Sequence, residues 1–216
     1  MNKLLKKEFA LSMHPTAPMF LALSAMLLIP NYPYYVTFFY TGLSLFFTCL
    51  SGRENNDVFY SITLPVSKKD VVGARFLYAV IFELAQIVLC VPLAFVRQKM
   101  NATVGTNAVG MDAGIALIGL SLVMLGLFNA VFFGTYYKDV TKVGTAFIKS
   151  SVAVFVYICA VEAFTHFVPF FISLDTPDSE FLLPKFAVLA AGLVIFALIT
   201  FVSYKKSVKN FEKQDI

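Results

Sequence analysis

Three side chains in this sequence have the chemistry to act inside an apolar environment: Glu83, Glu162 and His166. A charged group at the centre of a membrane helix costs about 2.5–3.5 kcal/mol on insertion scales, so such groups face a bundle interior or a water-filled cavity. Two kinds of work fit them, carrying protons or contacting a cationic substrate. The other reading is structural, a neutral or paired carboxyl that fastens two helices together. His166 lies one turn beyond Glu162 on the same helical face and is its expected partner. Glu162 falls near the end of its apolar run, where it can reach water. Glu83 is deeper, among Ala79, Val80 and Ile87, with Gln86 at i+3 placed to share a proton with it. Catalytic machinery is otherwise missing from the sequence. It has no G-x-x-x-x-G-K-[ST] phosphate loop, no H-E-x-x-H zinc helix and no G-x-S-x-G nucleophile turn. Its only histidines are His14 and His166. Cys49, Cys90 and Cys159 stand far apart in apolar runs without C-x-x-C spacing, as small apolar fillers do. No catalytic residue, no metal site and no enzyme activity is expected.

The elements that must position these groups are apolar. The chain has 216 residues, 59% hydrophobic and 14% charged, with a mean hydropathy of +0.79. Soluble domains carry about 45–50% apolar and about 25% charged residues, so this composition points to an all-helical membrane protein. A hydrocarbon core of about 30 Å needs about 20 helical residues. Six runs qualify, at 15–30, 34–50, 72–96, 113–133, 145–168 and 183–204, with a tail over 205–216. Asn31, Tyr32 and Pro33 form the turn between the first two. Six spans put both termini on one side. If that side is the cytoplasm, 14 of the 17 Lys and Arg residues lie inside, leaving Arg97, Lys99 and Lys185 outside, as the positive-inside rule requires. The outer loop 169–184 then carries Asp175, Asp178 and Glu180.

Residues 1–13 read as an amphipathic helix in the membrane interface, with Leu5, Phe9 and Met13 as its apolar stripe and Lys3 and Lys7 on the opposite side. Gly126, Ala130 and Gly134 form a small-xxx-small stripe for close helix packing. Tyr32, Tyr34 and Tyr35 at one boundary and Tyr136, Tyr137 and Tyr204 at the other read as interface belts. The connection 51–71 is the most structured of the loops. Arg53, Glu54, Asn55, Asn56 and Asp57 make a polar first turn, and Val58, Phe59, Ile62 and Leu64 make an apolar face. Asn56 or Asp57 supplies a cap and Pro65 a stop. Ser67 can cap the next span while Lys68 and Lys69 reach lipid headgroups. The pattern predicts a short helix lying across the cytoplasmic face, either resting on the bilayer or docking a cytoplasmic protein.

The segment ENNDVFYSITLPVSKKDVVGARFL resembles the corresponding region of small ABC-2 type transporter permeases. Leu64, Pro65, Val66, Ser67, Lys68, Lys69, Asp70 and Arg75 match the family pattern there. The basic N-terminus, six spans and basic tail extend the likeness along the chain, which is most similar to permeases that export phenol-soluble modulins and other antimicrobial peptides. The resemblance implies an ABC-2 exporter permease fold in the bacterial cell membrane, with both termini cytoplasmic. It further implies a partner permease subunit, identical or not, and a separate ATP-binding cassette ATPase that holds ATP and magnesium, since this chain binds no cofactor itself. Glu54, Asn55, Asn56, Asp57, Val58, Phe59, Ile62, Leu64 and Pro65 would then carry a coupling helix that docks on the ATPase. The cargo would be an amphipathic peptide or another hydrophobic molecule, and nucleic acid is not expected as a partner.

Two other classes compete with that reading. A proton-coupled secondary transporter would use Glu83 or Glu162, with His166 beside the latter, and would carry inverted repeats and broken helices, of which the sequence shows no sign. A membrane scaffold or immunity protein without transport activity needs neither carboxylate.

Overall fold

The computed structural model describes residues 2–177 and 179–214. Met1, Asp178, Asp215 and Ile216 lie outside the described residues, among them Asp178 of the acidic loop and the last two residues of the tail. Every regular element described is helical. In chain order they are α1 (Asn2–Lys7), running into a π-helical turn Glu8–Ser12; α2 (Ala17–Ala22), tightening into a 3-10 segment Leu23–Leu28; α3 (Tyr35–Glu54); α4 (Asp57–Thr63); α5 (Lys68–Val104); α6 (Ile115–Tyr136); α7 (Val143–Phe167); α8 (Pro169–Leu174); and α9 (Leu182–Glu212). Helices α3, α5, α6, α7 and α9 are each long and apolar enough to cross a membrane.

The first expected span is the exception. Pro15 precedes the helix, which starts at Ala17 with Pro18 in its first turn, and Pro30 follows its end, so Ala17–Leu28 supplies only 12 residues, at most about 24 Å of 3-10 rise against a core of about 30 Å. It meets Asn2–Ser12 at 88°, and a sixth span exists only if this bent pair counts as one. At the other extreme, α5 has 37 residues, about 55 Å of helix, and projects beyond the membrane. Of the expected tail 205–216, residues 205–212 continue α9. Phe211 is fully buried against Tyr137, and Lys68 reaches the Gln214 carbonyl at 2.5 Å rather than a headgroup.

Helix α6 is the central post. Gly119 and Gly192 let α6 and α9 touch backbone to backbone, and a Cβ on Gly192 would overlap the Gly119 carbonyl. The close-contact stripe is therefore Gly119 and Gly126 against α9, whereas Gly134 faces open space. Four of the six tyrosines expected in the interface belts turn inward. Tyr34, Tyr35, Tyr136 and Tyr137 are all at most 2% exposed and pack into the core instead of lining the interface.

Candidate docking and transport site

The end of the bundle that gathers α1, α4 and the last turns of α9 carries the candidate docking element. Asn56, with φ 53°, turns the chain sharply out of α3, and α4 follows. The expected side-chain cap is absent, because Asp57 turns inward to bind cations. Pro65 follows the end of α4, and Ser67 starts α5 as a reciprocal cap, its hydroxyl accepting the Asp70 N–H at 3.1 Å and donating to the Asp70 carboxylate at 2.6 Å. One face of α4 is fixed to the bundle. Val58 and Ser61 are buried, and Ile62 packs partly against the core. Phe59 and Tyr60 are 41% and 60% exposed, beside exposed Glu54, Asn55 and Asn56. The apolar residues at 54–64 thus divide, with Phe59 outward and Val58 and Ile62 inward.

Beneath α4 lies a buried ionic cluster. Arg75 Nε sits 2.5 Å from Glu8 Oε2, and Arg75 Nη2 donates to Asp57 Oδ2 at 2.5 Å. Lys7 Nζ is 2.5 Å from Asp57 Oδ1 and 3.3 Å from Glu8 Oε1, and donates to the Ser61 hydroxyl at 2.7 Å. Ser12 donates to Asp57 at 3.2 Å. Burial alone would raise the Asp57 pKa, but the Arg75 and Lys7 charges outweigh it and hold the carboxyl below its ordinary range. Lys7 was expected on the solvent side of an interfacial helix, and Glu8 was not singled out at all. For Glu8 the physical reason is the π-helical turn. It widens the helix from Glu8 to Ser12 and rotates Glu8 and Ser12 into the bundle, while Leu5, Phe9 and Met13 still pack on the core.

The membrane-embedded candidates fall into two separate networks. Glu83 is fully buried, and its Oε2 accepts from Asn129 Nδ2 of α6 at 2.9 Å. Asn129 also reaches Thr200 of α9 at 3.4 Å, so the node joins three helices. Gln86 does not share with Glu83. It bonds to the Thr41 hydroxyl and donates to the Thr37 carbonyl at 2.8 Å. Glu83 Oε1 and Asn129 Oδ1 have no hydrogen-bond partner among the described residues. Asn129 was missed in the sequence, although a lone amide in the apolar run Leu127–Phe133 is the same kind of signal as Glu83. Glu162 accepts the Met111 N–H at 3.1 Å, and His166, exposed, makes no hydrogen bond to it.

The far end of the bundle is a woven polar cap. Arg97, assigned to the outer side by the span count, is fully buried and donates to the Tyr34 hydroxyl at 2.7 Å, to Asn101 and to the Gly105 carbonyl. Asp112 accepts from Asn101 and the Asn107 N–H, and its own N–H donates to Asp175 at 2.7 Å. Lys185 is likewise buried, donating to the Thr176 and Pro177 carbonyls. Between this cap and α4, the groove of α5 and α9 holds two apolar cavities of about 790 and 550 Å³ that share Leu193 as a wall. Gln98 and Lys99 are polar residues in the lining of the larger, and Thr200, the partner of Asn129, lines the smaller. Among the described residues no three His, Cys, Asp or Glu side chains converge as a metal-ligand set.

A family model described as ABC-2 family transporter protein matches residues 3–212, nearly the whole chain. No curated protein and no solved structure matches it.

Proposed function

The chain belongs to the ABC-2 transporter family, and from that premise we propose that it is the membrane permease of an exporter driven by a separate ATP-binding cassette ATPase. The observation that carries this reading is α4, a short helix pinned on one face that presents Phe59 and Tyr60 among polar neighbours. Aromatic anchors in a polar surround are the anatomy of a protein-docking surface. In this reading the end bearing α1 and α4 is cytoplasmic, the membrane is that of a bacterial cell, and ATP and magnesium are held by the ATPase. Docking falls to Phe59 and Tyr60 with Glu54, Asn55 and Asn56 around them, while Val58, Ile62, Leu64 and Pro65 hold α4 in place. Two permease subunits, identical or not, enclose the path. The cargo is amphipathic or hydrophobic, peptides of the phenol-soluble modulin kind foremost, and the apolar groove of α5 and α9 is chemically suited to it. Glu83 and Glu162 occupy unconnected hydrogen-bond networks, which favours ATP over proton coupling as the energy source. The test is purification of the tagged chain in mild detergent with its partners identified by mass spectrometry. A stoichiometric ATP-binding cassette ATPase is expected, and a folded, monodisperse chain without one would contradict the proposal.

A further inference from the structure

Lys7, Glu8, Asp57 and Arg75 form a closed square of alternating charge. Each cation touches both anions, at 2.5 and 3.3 Å for Lys7 and at 2.5 Å twice for Arg75. The side chains are 2–12% exposed. Apolar residues would hold α4 down as well, since replacing buried ion pairs with packed hydrophobes is often neutral or stabilising. What the charges supply is geometry: no corner can shift without leaving a buried charge unpaired. The corners come from three pieces of chain, the N-terminal segment, α4 and α5. Helix α5 continues from Arg75 to Arg97 with Pro92 inside it, about 33 Å, so the helix held by the square at one end is held by the polar cap at the other.

We propose that Lys7, Glu8, Asp57 and Arg75 are positioning residues that make the N-terminal segment, α4 and the start of α5 one body, so that displacement of α4 by the ATPase is delivered along α5 to the cavities and the far cap. This rests on the docking reading above and goes beyond it in assigning the N-terminal segment to the coupling machinery. A rigid joint predicts that weakening the square uncouples ATP hydrolysis from movement without releasing the ATPase, because Phe59 and Tyr60 stay outside it.

The experiment uses the purified permease–ATPase complex carrying Cys159→Ser, which removes the one exposed cysteine, and Val91→Cys in the larger cavity. Maleimide labelling of position 91 is timed with and without ATP. With the square intact, ATP changes the labelling rate by about fivefold or more. Glu8→Gln and Lys7→Gln keep the ATPase bound and hydrolysing, yet labelling no longer responds to ATP. Lys7→Arg, which keeps the alternation of charge around the square, retains the ATP response. Lys7→Gln, at the most exposed corner, keeps the test decisive where the buried variants fail to accumulate. A full ATP response in Lys7→Gln and Glu8→Gln overturns the joint. Absence of an ATPase from the chain with its square intact overturns instead the docking reading, and this inference with it.

Discussion

Substituting Glu83 separates an ATP-driven permease from a proton-coupled one, and the structure fixes the magnitudes. No Lys, Arg or His among the described residues pairs with Glu83, whose one partner is the Asn129 amide at 2.9 Å. Were the side chain an unpaired carboxylate in mid-membrane, Glu83→Gln would relieve about 2.5–3.5 kcal/mol. We expect a neutral acid, whose hydroxyl can meet the second orphan of the node, Asn129 Oδ1. Gln reproduces both the donor and the acceptor, so Glu83→Gln should move stability by less than about 0.5 kcal/mol. Glu83→Leu strands the amide with only its 3.4 Å bond to Thr200 and should cost about 1–2 kcal/mol. The assay is equilibrium unfolding of the purified protein in mixed micelles, paired with export by the reconstituted complex. Export should be unchanged in Glu83→Gln. Stabilisation near 3 kcal/mol, or loss of export in a stable Glu83→Gln protein, would refute the reasoning and return Glu83 to proton or cation handling.

The glycines give a contrasting pair. A Cβ on Gly192 meets the Gly119 backbone, so Gly192→Ala should force α6 and α9 apart at a cost of about 1–3 kcal/mol or more, whereas Gly134→Ala meets nothing and should stabilise by up to about 1 kcal/mol through helix propensity; unfolding midpoints of the two variants check this. At the far cap, burial and the neighbouring Asp112 raise Asp175 from 3.8 to about 6, against the pull of the Asp112 N–H, His166 and Lys185. A folded pKa above the unfolded one gives stability that is complete below about pH 3.8 and lost as pH rises through about 6. Asp175→Asn should therefore flatten the pH dependence of stability in that window, read by thermal unfolding at stepped pH.

What was legible in the sequence follows from period and punctuation. Long apolar runs marked the five full helices, and the polar turn, Pro65 and Ser67 bracketed α4 and the start of α5. What stayed hidden depends on departures from the 3.6-residue period and on partners far along the chain. The stripe of Leu5, Phe9 and Met13 put Lys7 outside, and the wider turn at Glu8–Ser12, which buries Glu8 under α4, departs from the period that stripe assumes. Arg75 was recognisable as part of a pattern, but its partners lie 67 and 18 positions away in the chain. Counting spans put Arg97 and Lys185 on the outer side and said nothing of their burial, and the loops that fold over them are too irregular to read from local propensity. Counting residues also credited 15–30 with a span, which its prolines shorten to 12 helical positions.

The measurement closest to the central claim is co-purification of the ATPase with two variants of α4. Phe59→Asp with Tyr60→Asp alters only the outward face, and Thr63→Ala, also exposed, serves as a mild control on the same helix. The account predicts that the double variant inserts, folds and elutes as a single species while losing the ATPase, and that Thr63→Ala retains it. An ATPase that stays with the double variant at the ratio of the unaltered chain would contradict α4 as the docking element.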